Sequence, residues 1–311
     1  MKVLVTGVGG PAGMNTVFFY PEKDMLISCD ADEKAEKKLE ILELNVKFYK
    51  VPYARDPSFL ERINELIEKD GIDYIIPTVD EELVTFSQNK HSIKAEVIIS
   101  PEKTIKICND KFLLYEELKD LGVCPRFVIA KDQDELSVFE GAVIVKPRVG
   151  RGGRGIITFE SYKDIPESVI NPSNVFCEYL PGKEYTVDVL CDFDGNPLVI
   201  VPRIRLKILS GVSIIGKTER NKDVIKRVKE ICNVIKFKGP VNIQFKLDHA
   251  GEPKLVEINP RFSGGLPITV ASGVNPVELL YKLLKNIKIK PEELVWKEVT
   301  AVNEIAKKVK G

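Results

Sequence analysis

The sequence predicts an α/β fold that opens on a parallel sheet and passes into a larger α+β part built on antiparallel strands. Three observations carry this reading. The first hundred residues alternate short apolar runs with amphipathic stretches, the pattern of a parallel sheet covered by helices. Beyond about residue 101, apolar runs follow one another through turn signals, as antiparallel strands do. The length of 311 residues is about twice the ~150 of one domain, which predicts two.

Taken in order, strands are predicted at 2–6, 25–29, 46–51 and 73–77, with helices at 57–69 and 81–89. Ile98-Ile99-Ser100-Pro101 reads as the last strand and an exit, because proline disfavours continuing a strand and suits the first turn of a helix. That places the domain boundary near 101, giving segments 1–101 and 102–311. A helix follows at 110–121, stopped by Gly122. Strands at 175–179, 185–192 and 198–206 are separated by Pro181-Gly182 and Asp194-Gly195-Asn196. A helix then carries Val224, Ile225, Val228, Ile231 and Ile235 on its apolar face. It precedes a hairpin at 240–247 and 253–258, and the chain closes with helices at 277–285 and 299–309.

Composition narrows the function. With 46 basic and 46 acidic side chains there is no electrostatic footprint for nucleic acid as a bulk partner. No window approaches the ~18 apolar residues of a membrane span. The opening Val3-Leu4-Val5 is also far too short for a signal peptide, so a cytoplasmic location is expected. Six cysteines contain no C-x-x-C pair and read as small buried hydrophobes. Neither of the two histidines lies in a zinc-like cluster.

Four constellations carry chemistry. Thr6-Gly7-Val8-Gly9-Gly10-Pro11-Ala12-Gly13 follows a strand and opens a helix, where backbone amides suit a phosphate. Asp30 sits where a dinucleotide fold places its ribose-binding acid, which would make the protein an NAD(P)-binding oxidoreductase. Ala12 stands where G-x-G-x-x-G requires glycine, so a tight turn without a cofactor is an equal reading. The second constellation is a β-branched strand ending on Lys146, followed by Gly150, Gly152, Gly153 and Gly155 interleaved with Arg148, Arg151 and Arg154. Flexible glycines and cations suit a polyphosphate, although the lysine precedes the loop, unlike a P-loop.

In the third, Glu257 and Asn259 lie two apart in a strand and share a face, with Arg261 close by. Two oxygen donors so placed suit Mg²⁺, with Gln244 on the hairpin partner as a weaker third, although any strand with a wet face shows such alternation. The fourth, Cys177-Glu178-Tyr179-Leu180-Pro181-Gly182-Lys183-Glu184, offers the Glu178 carboxylate and the backbone of Tyr179 and Leu180 to the donor–acceptor edge of a purine, and Glu184 to ribose hydroxyls. By itself it is a hairpin with two acids. Arg203 and Arg205 also share a strand face; they read as contacts to a substrate carboxylate or as a solvated face.

Together these segments resemble the ATP-grasp superfamily, most closely its carbamoyl-phosphate-synthase-like proteins. The resemblance runs from V-T-G-V-G-G through N-D-K-F, V-K-P-R-x-G-x-G-G, E-Y-L-P-G-K-E and N-I-Q-F to E-I-N-P-R. It implies a Rossmann-like domain followed by an ATP-grasp domain of two α+β subdomains, the smaller a lid at about 123–180. The implied cofactors are ATP and Mg²⁺, with Mn²⁺ as a substitute. Lys111 and Lys146 would contact phosphates, with Gly150, Gly152 and Gly153 in the loop folding over them. Glu178 and the Leu180 backbone would read adenine beside Tyr179, and Glu184 would bind ribose. Glu257, Asn259 and Gln244 would hold the metal, while Arg261 would steady the transferred phosphoryl group. The resemblance also favours the glycine turn without NAD. It implies a ligase joining a small-molecule carboxylate to an amine, or to a thiol, through an acyl phosphate, and leaves room for a homodimer. Carbamoyl phosphate synthase large chains carry two ATP-grasp halves, and this chain has room for one.

Overall fold

The computed structural model describes residues 1–150 and 152–303. Strands β1 (Val3–Thr6), β2 (Leu26–Asp30), β3 (Lys47–Lys50), β4 (Tyr74–Ile76) and β5 (Glu96–Val97) form one parallel sheet in the order β3-β2-β1-β4-β5. Helices α1 (Pro11–Phe19), α2 (Lys34–Ile41), α3 (Phe59–Asp70) and α4 (Asp80–Gln88) connect these strands. The central strand is buried along its whole length, since helices cover both faces of such a sheet. Val3 and Val5 enter one core while Leu4 enters another. The last strand falls earlier than the expected Ile98-Ile99-Ser100, and the Ile98 N–H still donates to Ile75 O at 2.9 Å. Sequence periodicity misses α2 because only Ala35 and Leu39 are buried on it, too thin a stripe to read.

Helices α5 (Glu102–Asn109) and α6 (Lys111–Leu118) follow. Their break falls at Asp110, whose carboxylate accepts from the Phe112 and Leu113 amides as the N-cap of α6. The helix expected at 110–121 therefore starts one residue later and ends in a tighter turn at Gly122, φ +64°. Strands β6 (Phe127–Val128), β7 (Val143–Pro147), β8 (Ile157–Phe159) and β9 (Asn174–Glu178) make an antiparallel sheet in the order β6-β9-β7-β8.

A six-stranded antiparallel sheet completes the structure. Its strands are β10 (Glu184–Cys191), β11 (Pro197–Leu209), β12 (Val212–Thr218), β13 (Gly239–Leu247), β14 (Pro253–Asn259) and β15 (Thr300–Val302), in the order β14-β13-β10-β11-β12-β15. Helices α7 (Lys222–Val234), α8 (Leu266–Ala271) and α9 (Pro276–Leu284) accompany it. Two expectations change here. The strand expected at 198–206 runs on to Leu209 and returns as β12 through Ser210 and Gly211, both at positive φ. Its projecting part exposes Leu206, Ile208 and Leu209 and so lacks a buried alternation. The helix expected at 299–309 is, in its described part, the edge strand β15 pairing with β12; the remainder, from 304, lies outside the described residues.

The parallel sheet and the C-terminal helices share one core, in which Val3, Val5 and Val17 meet Leu266, Leu280 and Trp296. Among the described residues no helix is long and apolar enough to cross a membrane.

Candidate active site

A cleft of about 1310 Å³ lies where the three sheets meet. Its wall on the six-stranded sheet follows from strand alternation. Glu257 and Asn259 project from one face of β14, and Gln244 on β13 is the cross-strand partner of Glu257. Gln244 Nε2 donates to Glu257 Oε1 at 2.8 Å, and Asn259 Nδ2 donates to the same oxygen at 3.0 Å. One carboxylate and two amides thus converge. Among the described residues no group of three or more His, Cys, Asp or Glu could hold a metal. Such a donor set fits Mg²⁺, which keeps several waters and takes one or two carboxylates together with phosphate oxygens.

Arg261 lies two residues beyond Asn259. Its Nε and Nη2 grip the Asp80 carboxylate at 2.8 and 3.0 Å, a bidentate pair with the first residue of α4. Burial penalises the guanidinium charge, but Asp80 outweighs it and carries the pKa above its usual value. Sequence reading misses Asp80: it stands 181 positions away, and only the acid-rich start of α4 marks it.

Lys146, one residue before the end of β7, has 4% exposure and donates to the Tyr115 hydroxyl at 3.5 Å. Lys111 is also buried and donates to Gly150 O at 3.0 Å; burial lowers its pKa, while Glu257 opposes the shift. Lys146 lines the main cleft, whereas Lys111 and Gly150 line a chamber adjoining it. In the loop, Gly152 and Gly153 reach the cleft at φ +65° and +72°, a region that favours glycine. Arg154 lines the cleft as well. Arg148 turns away to fork onto Asp110, with Nη2 at 2.6 Å, and anchors the loop base to α6. Arg151 lies outside the described residues.

At the other end of the cleft, Glu178, Tyr179, Leu180 and Glu184 line the wall. Glu178 Oε1 already accepts from the Arg126 amide at 2.8 Å, and the Tyr179 amide donates to Ala142 O at 2.9 Å. Lys246, which the sequence does not single out, lies 4.7 Å over the Tyr179 ring. Arg205 holds Glu184 and donates to Ser213 Oγ at 3.1 Å.

Two further residues named from the sequence line the cleft while bonded within the protein. Arg203, expected beside Arg205 as a substrate contact, is buried at the cleft wall. It pairs with Asp188 at 2.9 Å and donates to Ser263 Oγ at 3.0 Å, and Asp188 also receives the hydroxyl of Thr269 and the amide of Asn242. A buried guanidinium requires such a partner, so Arg203 supports the 263–265 turn from behind. Asp30, considered as a ribose ligand, instead accepts the Gly9 amide at 2.7 Å. The protein's own carboxylate thereby takes one amide of this turn, and Gly7, Gly10 and Asp30 line the cleft.

Residues 171–308 match the model of a family described as "ATP-grasp in the biosynthetic pathway with Ter operon". The arginine-specific carbamoyl phosphate synthase large chain of Bacillus subtilis is 24% identical over 261 residues, 76% of this chain but 25% of the relative. A D-alanine–D-alanine ligase of Thermotoga petrophila is 24% identical over 186 residues, 58% of this chain and 60% of that one. Among solved structures, the biotin carboxylase domain dimer of Hydrogenobacter thermophilus 2-oxoglutarate carboxylase, bound to MgADP, ADP and bicarbonate, superposes with a TM-score of 0.73 at 17% identity, covering 95% of this chain and 72% of the other. Over residues 171–308 and in its overall fold the chain is similar to ATP-grasp proteins, and its sequence is similar to carbamoyl phosphate synthases. It spans a quarter of its B. subtilis relative, and the likeness to the biotin carboxylase domain is one of fold.

Proposed function

We propose that the protein is an ATP- and Mg²⁺-dependent ligase that joins a small-molecule carboxylate to an amine, or to a thiol, through an acyl phosphate with release of ADP. The observation that carries this reading is the convergence of Glu257, Asn259 and Gln244 beside Arg261 and Lys146. The names of the two curated relatives, a carbamoyl phosphate synthase large chain and a D-alanine–D-alanine ligase, support it.

A carboxylate and a triphosphate repel one another, so the site must neutralise both before attack. Lys146, which among the described residues pairs with no carboxylate, meets phosphate oxygens, and Lys111 approaches them from the adjoining chamber. Glu257, Asn259 and Gln244 would hold Mg²⁺, which when bound supplies charge compensation to the β- and γ-phosphates. Arg261, fixed by Asp80, steadies the transferred phosphoryl group, while Arg205 orients the substrate carboxylate beside Glu184. Glu178 and the Leu180 backbone read adenine. The glycine loop covers the phosphates and excludes water that would hydrolyse an acyl phosphate. Residues 1–101 and 102–311 form the two domains of this reading, and the protein works as a homodimer or as a single chain with the same site.

The test is a screen of carboxylates with ATP, Mg²⁺ and hydroxylamine, reading ADP and hydroxamate. Glu257→Gln should reduce both at least 100-fold. ATP binding with no ADP release for any acid would leave a nucleotide-binding module and end the ligase reading.

A further inference from the structure

On the six-stranded sheet, Lys246 of β13 is the direct cross-strand partner of Glu184 of β10. Directly opposed residues of an antiparallel pair share a face, and opposite charges so placed ordinarily pair. These two do not. Glu184 is drawn to Arg205 on β11, the strand on the other side of β10. The Lys246 ammonium lies instead 4.7 Å over the Tyr179 ring, and among the described residues it has no ion pair. Both side chains line the main cleft.

The parted pair leaves an acceptor facing a donor. A carboxylate only accepts hydrogen bonds and an ammonium only donates them, so a ligand that bridges the two must do both. Hydroxyls do both, and a vicinal diol offers one to each charge. The hold of Tyr179 on Lys246 is weak, because the ring is 38% exposed and a cation over an exposed ring gains little. An oxygen acceptor therefore outcompetes it. Position decides which diol is meant. In the nucleotide reading the purine lies against Glu178, Tyr179 and Leu180, so the group that reaches the neighbouring Glu184 and Lys246 is the ribose.

We propose that Lys246 completes a clamp on the ribose diol, donating to one hydroxyl oxygen while Glu184 accepts from the other hydroxyl, and that it thereby selects ribonucleotides over deoxynucleotides. The inference rests on the nucleotide reading of the cleft and is independent of which acid or nucleophile reacts there.

The test measures dissociation constants for ATP and for dideoxy-ATP, which lacks both ribose hydroxyls, in the presence of Mg²⁺. The proteins compared are the wild type and Lys246→Met, which keeps the aliphatic stem and removes the charge. The wild type should bind ATP more tightly than dideoxy-ATP by about ten-fold or more, the worth of a hydrogen bond to a charged group. Lys246→Met should weaken ATP by about ten-fold and leave dideoxy-ATP within about two-fold of the wild type, so that the discrimination shrinks. A lysine that only supports the fold would weaken both nucleotides alike, and that result overturns the proposal. Unchanged ATP affinity in Lys246→Met overturns it too, as does a wild type that binds both nucleotides equally. Lys246→Ala, judged by the same ratio, takes the place of Lys246→Met should the latter fail to fold. A wild type that binds neither nucleotide overturns the nucleotide reading itself, and the clamp with it.

Discussion

Glu82 gives the sharpest prediction, because a carboxyl group with 6% exposure sits at the floor of the cleft and takes no part in the chemistry above. Burial pushes its pKa from 4.5 up to about 8, against the Thr6 hydroxyl that donates to it, and the charges of Asp30 and Glu81 add to the rise. A carboxyl whose folded pKa lies above its unfolded one binds a proton in the folded state that the unfolded chain has released. The stability it contributes is full below pH 4.5 and is lost as pH rises through about 8. Integrated between pH 5 and pH 8, that loss is roughly 3.5 kcal/mol, a ceiling because the ionised group can relax toward water. Glu82→Gln keeps an acceptor for Thr6 and cannot ionise, so its stability should lack this component. Urea unfolding followed by the single tryptophan, Trp296, reads the difference, since Trp296 shares a core with Val3 and Val5 of the strand that leads into Thr6. Wild type should fall behind Glu82→Gln progressively above pH 5. Parallel profiles for the two proteins across that range would show that Glu82 is ionised in the folded state and refute the reasoning.

Asp80→Ala should cut carboxylate-dependent ADP release at least ten-fold by freeing Arg261 from its fork, and a double-mutant cycle with Arg261→Lys should show coupling in the initial rates. Lys146→Met should raise the apparent KM for ATP at least ten-fold while leaving the melting temperature unchanged or higher, because it replaces a buried cation that has no carboxylate partner among the described residues with an apolar chain. Gly265→Ala would place a Cβ 2.5 Å from Arg203 Nη1, which should cost about 1–3 kcal/mol in thermal unfolding. Gly13→Ala would meet the backbone of Gly7 at 2.3 Å and of Val8 at 2.8 Å. Backbone cannot swing aside as a guanidinium can, so its melting temperature should fall further.

What the sequence makes legible are features with a local physical cause. The parallel half shows in its apolar runs, and the face shared by Glu257 and Asn259 follows from the two-residue period of a strand. The glycines after Lys146 announce a loop whose conformation few other residues adopt. What stays hidden depends on partners that only folding brings together. Arg203 and Arg205 look equivalent as cations on one strand face, yet Arg203 meets Asp188 across β10 and disappears from solvent. A signal for this exists: Asp188 interrupts the apolar run Val187-Asp188-Val189-Leu190, and an acid in such a run needs a buried cation. The Asp80 clamp has only the acid-rich start of α4 as a local mark, because it arises from a contact between α4 and a residue just beyond β14, 181 positions away.

Those contacts also explain why a glycine-rich turn persists in a domain where Asp30 occupies its amide. The turn lies against the other half of the site: Asn15 Nδ2 on α1 donates to Gly264 O at 3.1 Å, and a Cβ on Gly264 would come within 3.1 Å of Pro11. Gly13 lets α1 close on β1, and a wider turn would push α1 into the 263–265 loop that Arg203 supports from the opposite side. Arg261 then reaches Asp80 across the same seam. The glycines of the first segment and those of the E-I-N-P-R-F-S-G-G segment therefore meet one structural demand, close approach of two backbones. The parallel-sheet half contributes the Asp80 clamp on Arg261 and a wall for the cleft, and both follow from that docking.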